Sequence, residues 1–200
     1  MKLSIITINL NNAEGLQRTI ESVVSQTFTD YEYIIIDGGS TDGSVDIIKQ
    51  YAEKFTYWVS EPDKGIYNAM NKGIAIAKGE YCNFMNSGDW FYDNNVLTDV
   101  FCRNIDVGII IGNTLFVNDK KTTLYKSGFL NKCHKITFSW LYNHTICHQA
   151  TFIKREILCK FPYDESKRIV SDYKFFIETL ILNDVDYAHV DNIICYFEGG

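Results

Sequence analysis

A chain of 200 residues, of which 46% are hydrophobic, is long enough for one domain with a substantial core. Its 22% charged residues are ordinary for a globular protein, and its two prolines argue against a long disordered linker. The formal net charge of −6 argues against a broad nucleic-acid interface, which needs a basic surface.

The N-terminal stretch MKLSIITINLNN has a single lysine and a short apolar run, and it lacks the cleavage site of a secretory signal. No window approaches the roughly 18 apolar residues of a membrane-spanning helix. The six cysteines stand in apolar surroundings without a CxxC pair, as is typical of reduced, buried thiols. We therefore expect a cytoplasmic protein, either free or at the inner face of the membrane.

The first ninety residues alternate between strand and helix patterns. Nearly continuous runs rich in β-branched residues predict strands at 3–8, 31–37, 56–61 and 81–85. Apolar residues at helical spacing predict a helix after each of the first three strands, the third ending at Gly79. This alternation indicates right-handed βαβ units and a parallel sheet.

Polar residues follow each of these strands. Thr7 and Asn9 end the first, Asp37 ends the second, 61–63 follows the third and 86–89 follows the fourth. Ligands of such sheets bind outside the carboxyl ends of the strands. We therefore expect the four polar clusters to meet at one edge and to form a site.

The second half has a different pattern of predicted elements. Its pattern predicts a short helix at 95–101, a hairpin of 107–118 and 122–126, and a strand leading into a helix over 148–158. A helix at 171–182, capped by Ser171 or Asp172, precedes a closing strand at 185–200. We expect a single domain, 1–200, with a nucleotide-binding half (1–90) and an aromatic-rich acceptor half (91–200). The ending on YFEGG leaves open whether the chain continues past Gly200.

Neither GxGxxG nor GxxxxGK[ST] occurs, so a dinucleotide fold or a P-loop has little support. In order, however, SIITINLNN, QTFTDYEYIIIDGGSTDGS, SEPDKGIYNAMNKGIAIAKGEY and FMNSGDWF resemble the donor-site motifs of the family 2 glycosyltransferases. ICHQATFIKR and SDYKFFIETL resemble the acceptor-side segments of that family. The resemblance is nearest to the bacterial subgroup that builds exopolysaccharide, capsule or lipopolysaccharide.

The resemblance implies the α/β GT-A fold, a mostly parallel sheet flanked by helices with a mixed acceptor-side half. It also implies inverting transfer of a hexosyl or N-acetylhexosaminyl group from a nucleotide-diphosphate donor to a glycan or lipid-linked acceptor. UDP is preferred over GDP as the carrier, and Mg²⁺ or Mn²⁺ is the expected cofactor.

Site residues follow from the matched motifs. Asp37 matches the family Asp that reads the nucleotide base, although Gly38 replaces the second Asp of that motif. On the nucleotide and phosphate side the matches are Thr7, Asn9, Asp63, Lys64, Asn71 and Lys72. The alternative role of Asp37 is a helix cap, and that of Thr7 and Asn9 is simply to end a strand. The alternative for Lys64 and Lys72 is a solvated helix face.

NSGD (86–89) occupies the position of the family's DxD-type metal motif, with Asp89 as its only carboxylate. A surface turn is the alternative, because Asn, Ser, Gly and Asp are common turn residues. Asp172 matches the general base, and its aromatic neighbours are expected to desolvate it and raise its basicity. An N-cap is its alternative role. His148 and Gln149 are expected between the halves, near the acceptor or the diphosphate.

Three other readings remain open at this stage. A nucleotidyltransferase uses a similar sheet and an Asp-held metal, but NLNNAEG lacks the basic residues of its loop. A nucleotide-sugar sensor without catalytic activity would fit the depleted NSGD motif. A zinc site could be formed by residues from the set Cys133, His134, His144, Cys147 and His148, although their spacing departs from that of structural zinc sites.

Overall fold

The computed structural model of the chain describes residues 1–118, 121–125 and 135–198. The strands in these residues are β1 (Leu3–Asn9), β2 (Tyr31–Asp37), β3 (Tyr57–Ser60), β4 (Tyr81–Phe84), β5 (Trp90–Phe91), β6 (Ile109–Asn118), β7 (Lys121–Tyr125), β8 (Thr151–Lys154) and β9 (Tyr187–Glu198). They form one sheet in the order β3-β2-β1-β4-β8-β6-β9-β5, and β7 pairs with β6.

The first half of the sheet is parallel, as the strand–helix alternation predicts. β1 pairs with β2 along its whole length, from Leu3 opposite Tyr31 to Asn9 opposite Asp37. β3 is parallel to β2, and β4 is parallel to β1 on its other side. Because these strands run in one direction, Asn9, Asp37 and Ser60 lie side by side at one edge.

The second half is mixed. β8 is antiparallel to β4 and β6, the predicted hairpin of β6 and β7 is confirmed, and β9 runs parallel to β6. The two-residue strand β5, which the sequence pattern missed, pairs antiparallel with β9. Four of the eight pairings between described strands are antiparallel, so parallel pairing dominates in the first half only.

The described residues form seven α-helices: α1 (Ala13–Val24), α2 (Ser44–Gln50), α3 (Ile66–Ile76), α4 (Val96–Phe101), α5 (Phe138–Asn143), α6 (Arg155–Lys160) and α7 (Ser171–Phe176). α5 has no counterpart in the sequence prediction, and α3 ends before Gly79. α7 continues as a π-helical turn, Ile177–Leu182. The predicted cap of this helix is wrong: Val170 occupies the capping position without a side-chain hydrogen bond, and Ser171 and Asp172 lie in the first turn.

The sheet is covered on both faces, which is why its inner strands are continuously apolar. Side chains alternate across a strand, so Ile6 and Ile8 pack in one hydrophobic cluster and Ile5 in the other. The first cluster includes buried residues of α3, α6 and α7, and the second includes those of α1, α2 and α4. Within the described residues no helix has the length and apolar character needed to cross a membrane.

Candidate active site

A cavity of about 470 Å³ opens at the carboxyl edge of the parallel strands. Five residues from the predicted polar clusters line it: Asn9, Asp63, Asn86, Ser87 and Asp89. The 3-10 turn before β8 and the end of β9 close the other side; they contribute His148, Gln149, Phe197 and Glu198. The predicted convergence is therefore confirmed for three of the four clusters: those at the ends of β1, β3 and β4 each contribute at least one residue to the cavity wall.

Asp37, at the end of β2, has a fully buried carboxylate. Its Oδ1 accepts hydrogen bonds from Asn9 Nδ2 at 2.7 Å and Ser40 Oγ at 2.6 Å, and its Oδ2 accepts one from Ser60 Oγ at 2.6 Å. Burial opposes ionisation, but the hydrogen bonds from Ser40, Ser60 and Asn9 outweigh it and hold the pKa of Asp37 below its usual value. Asp37 is not among the cavity-lining residues. Its hydrogen bond from Asn9 Nδ2 connects it to a residue that does line the cavity.

Asn9 and Thr7 occupy different depths of β1. Asn9 lines the cavity, and its Oδ1 is buried without a hydrogen-bond partner, so it can accept a hydrogen bond from a ligand. Thr7 lies deeper: its hydroxyl donates to Met85 O at 2.7 Å and shares a hydrogen bond of 3.0 Å with Tyr33 Oη. The structure does not bring Thr7 to the cavity, and its hydroxyl instead ties β1 to the end of β4.

Gly38 explains how the site is built without the second Asp of the motif. A Cβ atom at Gly38 would lie 2.7 Å from Asp63 Oδ2. Asp63 comes from the loop after β3, lines the cavity, and accepts a hydrogen bond from Gly65 N at 2.8 Å. A carboxylate from a different strand therefore occupies the space that a side chain at position 38 would fill.

Asp89 presents a buried carboxylate at the cavity wall, with only 4% of the residue exposed. It accepts hydrogen bonds from Gln149 Nε2 at 3.1 Å and from Glu198 N at 3.3 Å. Burial raises the pKa of Asp89 to about 7, although the Gln149 hydrogen bond and the charge of a protonated His148 oppose the rise. Among the described residues no lysine or arginine forms an ion pair with Asp89. The carboxylate therefore lacks a compensating cation.

The surroundings of Asp89 fit a hard divalent cation that takes few protein ligands. Asn86 Oδ1 is buried without a partner, and Asn86 lines the same cavity. One carboxylate and one amide oxygen suit Mg²⁺ or Mn²⁺, which can complete their coordination with water and substrate oxygens. The described residues contain no group of three His, Cys, Asp or Glu that could hold a metal alone. A cation at Asp89 would therefore complete its coordination with oxygen atoms of other kinds, such as water or a bound ligand.

The segment 86–89 is also a turn. Asp89 N donates to Asn86 O at 2.9 Å, and Gly88 has a φ of 104°, a conformation that L side chains rarely adopt. Gly88 N donates to Thr19 Oγ1 at 3.1 Å, which fixes the turn against α1. The turn geometry explains the glycine at position 88, and it aims Asp89 into the cavity.

Asp172 lies behind His148. Its Oδ1 accepts a hydrogen bond from Tyr67 Oη at 3.0 Å, and its Oδ2 is 3.4 Å from His148 Nδ1. The other ring nitrogen, Nε2, is 3.0 Å from Asn86 Nδ2. Because an amide nitrogen only donates, Nε2 accepts, and the hydrogen of the neutral ring is on Nδ1, facing Asp172. Asn86, His148 and Tyr67 thus fix the orientation of the Asp172 carboxylate.

The expectation that aromatic neighbours raise the basicity of Asp172 is wrong. Burial does oppose its ionisation, but the hydrogen bond from His148, the positive charge of that ring when it is protonated, and the Tyr67 hydroxyl outweigh burial and lower the pKa of Asp172. Burial, and then the charge of Asp172, raise the pKa of Tyr67 to about 12, so the phenol stays protonated as a donor. Asp172 is therefore ionised at neutral pH. Its side chain is 25% exposed, although it is not among the residues that line the cavity.

Besides Thr7 and Asp37, three further predicted donor contacts lie outside the cavity. Asn71 Nδ2 donates to Tyr163 O at 2.8 Å and to Glu165 Oε1 at 2.9 Å, and it thereby holds the loop before α7. Lys72 pairs with Glu61 at 2.7 Å. Lys64 faces a separate, neighbouring cavity. The family match placed these residues along the nucleotide, but the orientation of α3 directs Asn71 and Lys72 away from the cavity, and Lys64 lies in the loop before α3.

The sequence analysis missed Tyr67 and Glu198. Tyr67 recurs with apolar residues at helical spacing, so its pattern is that of a core residue, and it is indeed 6% exposed. Glu198 reaches Asp89 through its backbone N–H, while its carboxylate pairs with Arg18. Nothing in the sequence distinguishes that backbone group, because only the pairing of β9 places it.

The alternative hypothesis of a zinc site finds no support in the described part of the chain. His148 is engaged by Asn86 and Asp172, and the His144 ring stacks on Trp140 with ring centroids 4.8 Å apart. Cys147 is a buried free thiol. Cys133 and His134 lie outside the described residues.

Comparisons with known proteins agree with this arrangement. A family model described as glycosyl transferase family 2 matches residues 4–160. An uncharacterized glycosyltransferase of Mycobacterium tuberculosis is 46% identical over 202 aligned positions, which cover 98% of this chain and 74% of the relative.

Solved structures give the same fold at lower identity. Staphylococcus aureus TarS in complex with UDP-GlcNAc matches with a TM-score of 0.80 at 20% identity, over 100% of this chain and 59% of TarS. The mannosyltransferase PcManGT of Pyrobaculum calidifontis, in complex with GDP-Man and Mn²⁺, matches with a TM-score of 0.74 at 16% identity. That match covers 98% of this chain and 56% of the mannosyltransferase, so the chain spans little more than half the length of these two structures. The chain has the GT-A fold and belongs to glycosyl transferase family 2.

Proposed function

We propose that this glycosyltransferase moves a sugar from a nucleotide-diphosphate donor to a hydroxyl group of a glycan or lipid-linked acceptor, with inversion at the anomeric carbon. A UDP-linked hexose or N-acetylhexosamine is the proposed donor, and bacterial surface polysaccharide is the proposed product. The nucleotide sugars bound by the two structural neighbours support this donor class. One observation carries the proposal: a buried carboxylate without a cation, Asp89, shares its cavity with His148, which holds a second carboxylate, Asp172.

The nucleoside is placed at the end of the cavity formed by Asn9 and Asp63. The unpartnered amide oxygen of Asn9 and the carboxylate of Asp63 can accept hydrogen bonds from N–H and O–H groups. Leu10 and Ile66 offer apolar surface to a base. The diphosphate is placed toward Asp89, which with Asn86 Oδ1 would hold Mg²⁺ or Mn²⁺. When bound, this cation supplies positive charge that stabilises the departing diphosphate.

Asp172 is the proposed general base. Its carboxylate takes the proton of the acceptor O–H as the acceptor oxygen forms a bond to the anomeric carbon. The bond from that carbon to the diphosphate oxygen breaks, and its electron pair leaves with the nucleotide diphosphate. Attack from the face opposite the leaving group inverts the configuration. Hydrogen bonds from His148 and Tyr67 hold the carboxylate ionised and in one orientation before the acceptor arrives.

His148 lines the cavity and is the other candidate base. Its Nε2 accepts from Asn86, and its Nδ1 faces Asp172, so neither ring nitrogen has a free lone pair for the acceptor proton. Asp172 Oδ1 and Oδ2 each accept one such contact, and a carboxylate oxygen has two acceptor positions. This difference favours Asp172 as the base and His148 as a positioning residue.

The test uses donor hydrolysis, with water in place of the unidentified acceptor. UDP release is measured for a panel of UDP- and GDP-sugars with Mn²⁺, and donor affinity is measured by calorimetry. Asp172→Asn should lower turnover by about 10²- to 10⁴-fold, as expected for loss of a general base, with unchanged donor affinity. The exposed residue Asp106, which pairs with Lys154, supplies the control Asp106→Asn, for which no change is expected.

Two results would contradict the assignment. Loss of donor affinity with unchanged turnover in Asp172→Asn would place Asp172 at the donor. Tight binding of nucleotide sugars without any turnover in the unaltered protein, with or without metal, would favour the sensor function that the depleted NSGD motif suggests.

A further inference from the structure

A second cavity, of about 350 Å³, adjoins the first. The two share Leu10, Asp63, Gly65 and Ile66 in their walls. The second cavity is completed by the residue before the cap of α3, by the first turn of α3 and by the loop before α7; these provide Lys64, Tyr67, Asn68, Glu165, Lys167 and Arg168. A ligand in this cavity would therefore lie beside the proposed donor, on the side of α7.

The charge of this second cavity is not balanced by ion pairs. Lys64, Lys167 and Arg168 are exposed, and none forms an ion pair with another residue that the structure describes. The carboxylate of Glu165 is engaged by the amides of Asn68 and Asn71, at 2.9 Å each. Three cations thus face two carboxylates, Asp63 and Glu165, in a chain whose overall charge is −6.

The loop that carries two of these cations is held in place. Asp164 N donates to Ser171 Oγ at 2.6 Å, and Asp164 Oδ2 pairs with Lys174 at 3.0 Å. Val170, a β-branched residue, has a φ of 74°, a backbone conformation that such residues rarely adopt. Strain of this kind persists only where the surroundings impose it. The loop is therefore fixed next to Ser171 and Asp172.

The second cavity is also linked directly to the proposed base. Tyr67 contributes to its wall, and the hydroxyl of the same residue donates to Asp172 Oδ1 at 3.0 Å. An acceptor that occupied this cavity could present a hydroxyl group to Asp172 while the donor filled the first cavity. The donor diphosphate has a separate place, toward Asp89.

We propose that Lys64, Lys167 and Arg168 bind an anionic group of the acceptor, a phosphate ester or phosphodiester close to the hydroxyl that receives the sugar. Phosphate oxygens accept the charge-assisted hydrogen bonds that lysine and arginine donate. This inference rests on the proposed function, because it needs a donor in the first cavity and a base at Asp172. It adds the chemical class of the acceptor.

The test measures binding of glycerol 3-phosphate to the protein loaded with UDP and Mn²⁺, by calorimetry. Glycerol is the neutral control ligand, and inorganic phosphate is the arm that represents free phosphate. The double variant Lys167→Gln/Arg168→Gln should weaken glycerol 3-phosphate binding by about tenfold, because two partly exposed charge pairs together contribute roughly this factor. UDP affinity and donor hydrolysis should be unchanged. Lys49→Gln, at an exposed lysine of α2, is the matched control and should change neither affinity.

Each of four results would overturn the proposal. Glycerol 3-phosphate could fail to bind saturably, or it could bind the double variant as well as the unaltered protein. Inorganic phosphate could bind more tightly than the ester, which would assign the site to free phosphate. UDP affinity could fall in parallel, which would assign the cations to the donor. Donor hydrolysis in the unaltered protein is read separately, so failure of the acceptor site is distinguishable from failure of the glycosyltransferase assignment.

Discussion

Replacing Asn86 by aspartate, which would give NSGD a second carboxylate, should lower activity. Asn86 Nδ2 lies 3.0 Å from His148 Nε2, and this donor keeps the imidazole hydrogen on Nδ1, which faces Asp172 Oδ2 at 3.4 Å. An aspartate at position 86 can only accept a hydrogen bond, so it requires the hydrogen on Nε2. The neutral ring would then present a lone pair to the Asp172 carboxylate.

The magnitude follows from the contact that is lost. A hydrogen bond to a charged group contributes about 1.5–3 kcal/mol. If that energy holds the base in its reactive orientation, Asn86→Asp should lower kcat by roughly 10- to 100-fold. A second proton on the ring would preserve the contact, but it would place a cation against the base and reduce its proton affinity, so the direction is the same.

The assay is UDP release at saturating donor, with Mn²⁺ affinity measured in parallel by electron spin resonance. Asn86→Asp should bind Mn²⁺ more tightly, because it adds a carboxylate beside Asp89, while kcat falls. Asn86→Ala is the control. It removes the hydrogen bond without adding charge, and Asp172 alone still favours the hydrogen on Nδ1, so its loss of kcat should be smaller.

A rise in kcat for Asn86→Asp, or a loss no larger than that of Asn86→Ala, would refute the positioning role of Asn86 and His148. Urea denaturation of both variants shows whether either loss reflects unfolding instead.

Three further predictions concern the donor side. Gly38→Asp, which restores the second Asp of the motif, should weaken UDP binding in calorimetry. Its Cβ would meet Asp63 Oδ2 at 2.7 Å and place two carboxylates together. Tighter UDP binding would contradict this role of Gly38. Free Mn²⁺ should bind weakly, UDP should raise the Mn²⁺ affinity, and Asp89→Ala should abolish this coupling in spin resonance. Equal Mn²⁺ affinity with and without UDP would contradict a metal site at Asp89. Asp37→Asn should lower the free energy of unfolding by about 1–3 kcal/mol at pH 7. Because the pKa of Asp37 is lowered on folding, its ionised form stabilises the protein above the usual carboxyl pKa. The difference in unfolding free energy between the protein and the variant should therefore shrink when urea denaturation is repeated at pH values approaching the folded pKa. A difference that grows on acidification would contradict this sign.

The sequence by itself determined the alternation of β1 to β4 with α1 to α3 and the edge at which the site lies. The apolar runs of β1 and β2 are continuous because both faces of the sheet are covered, and this pattern can be read without knowing the partners. Parallel strands then bring their ends to one edge, so Asn9, Asp63 and Asp89 could be placed there from the chain order. The turn at 86–89 was also readable, since it depends on local residue types.

The tertiary structure decided which side chains meet at that edge. Thr7 points into the contact between β1 and β4, and Lys72 points to Glu61, although both follow the family motif. Register and helix rotation set these directions, and neither is specified by local periodicity.

The surroundings of Asp172 likewise depend on distant parts of the chain. Tyr67 on α3 and His148 before β8 reach its carboxylate across 105 and 24 residues of sequence, and together they lower the pKa that burial alone would raise. Periodicity reports only whether a face is buried. Which group a buried carboxylate faces, and therefore its charge and chemistry, is set by contacts between elements that are remote in sequence.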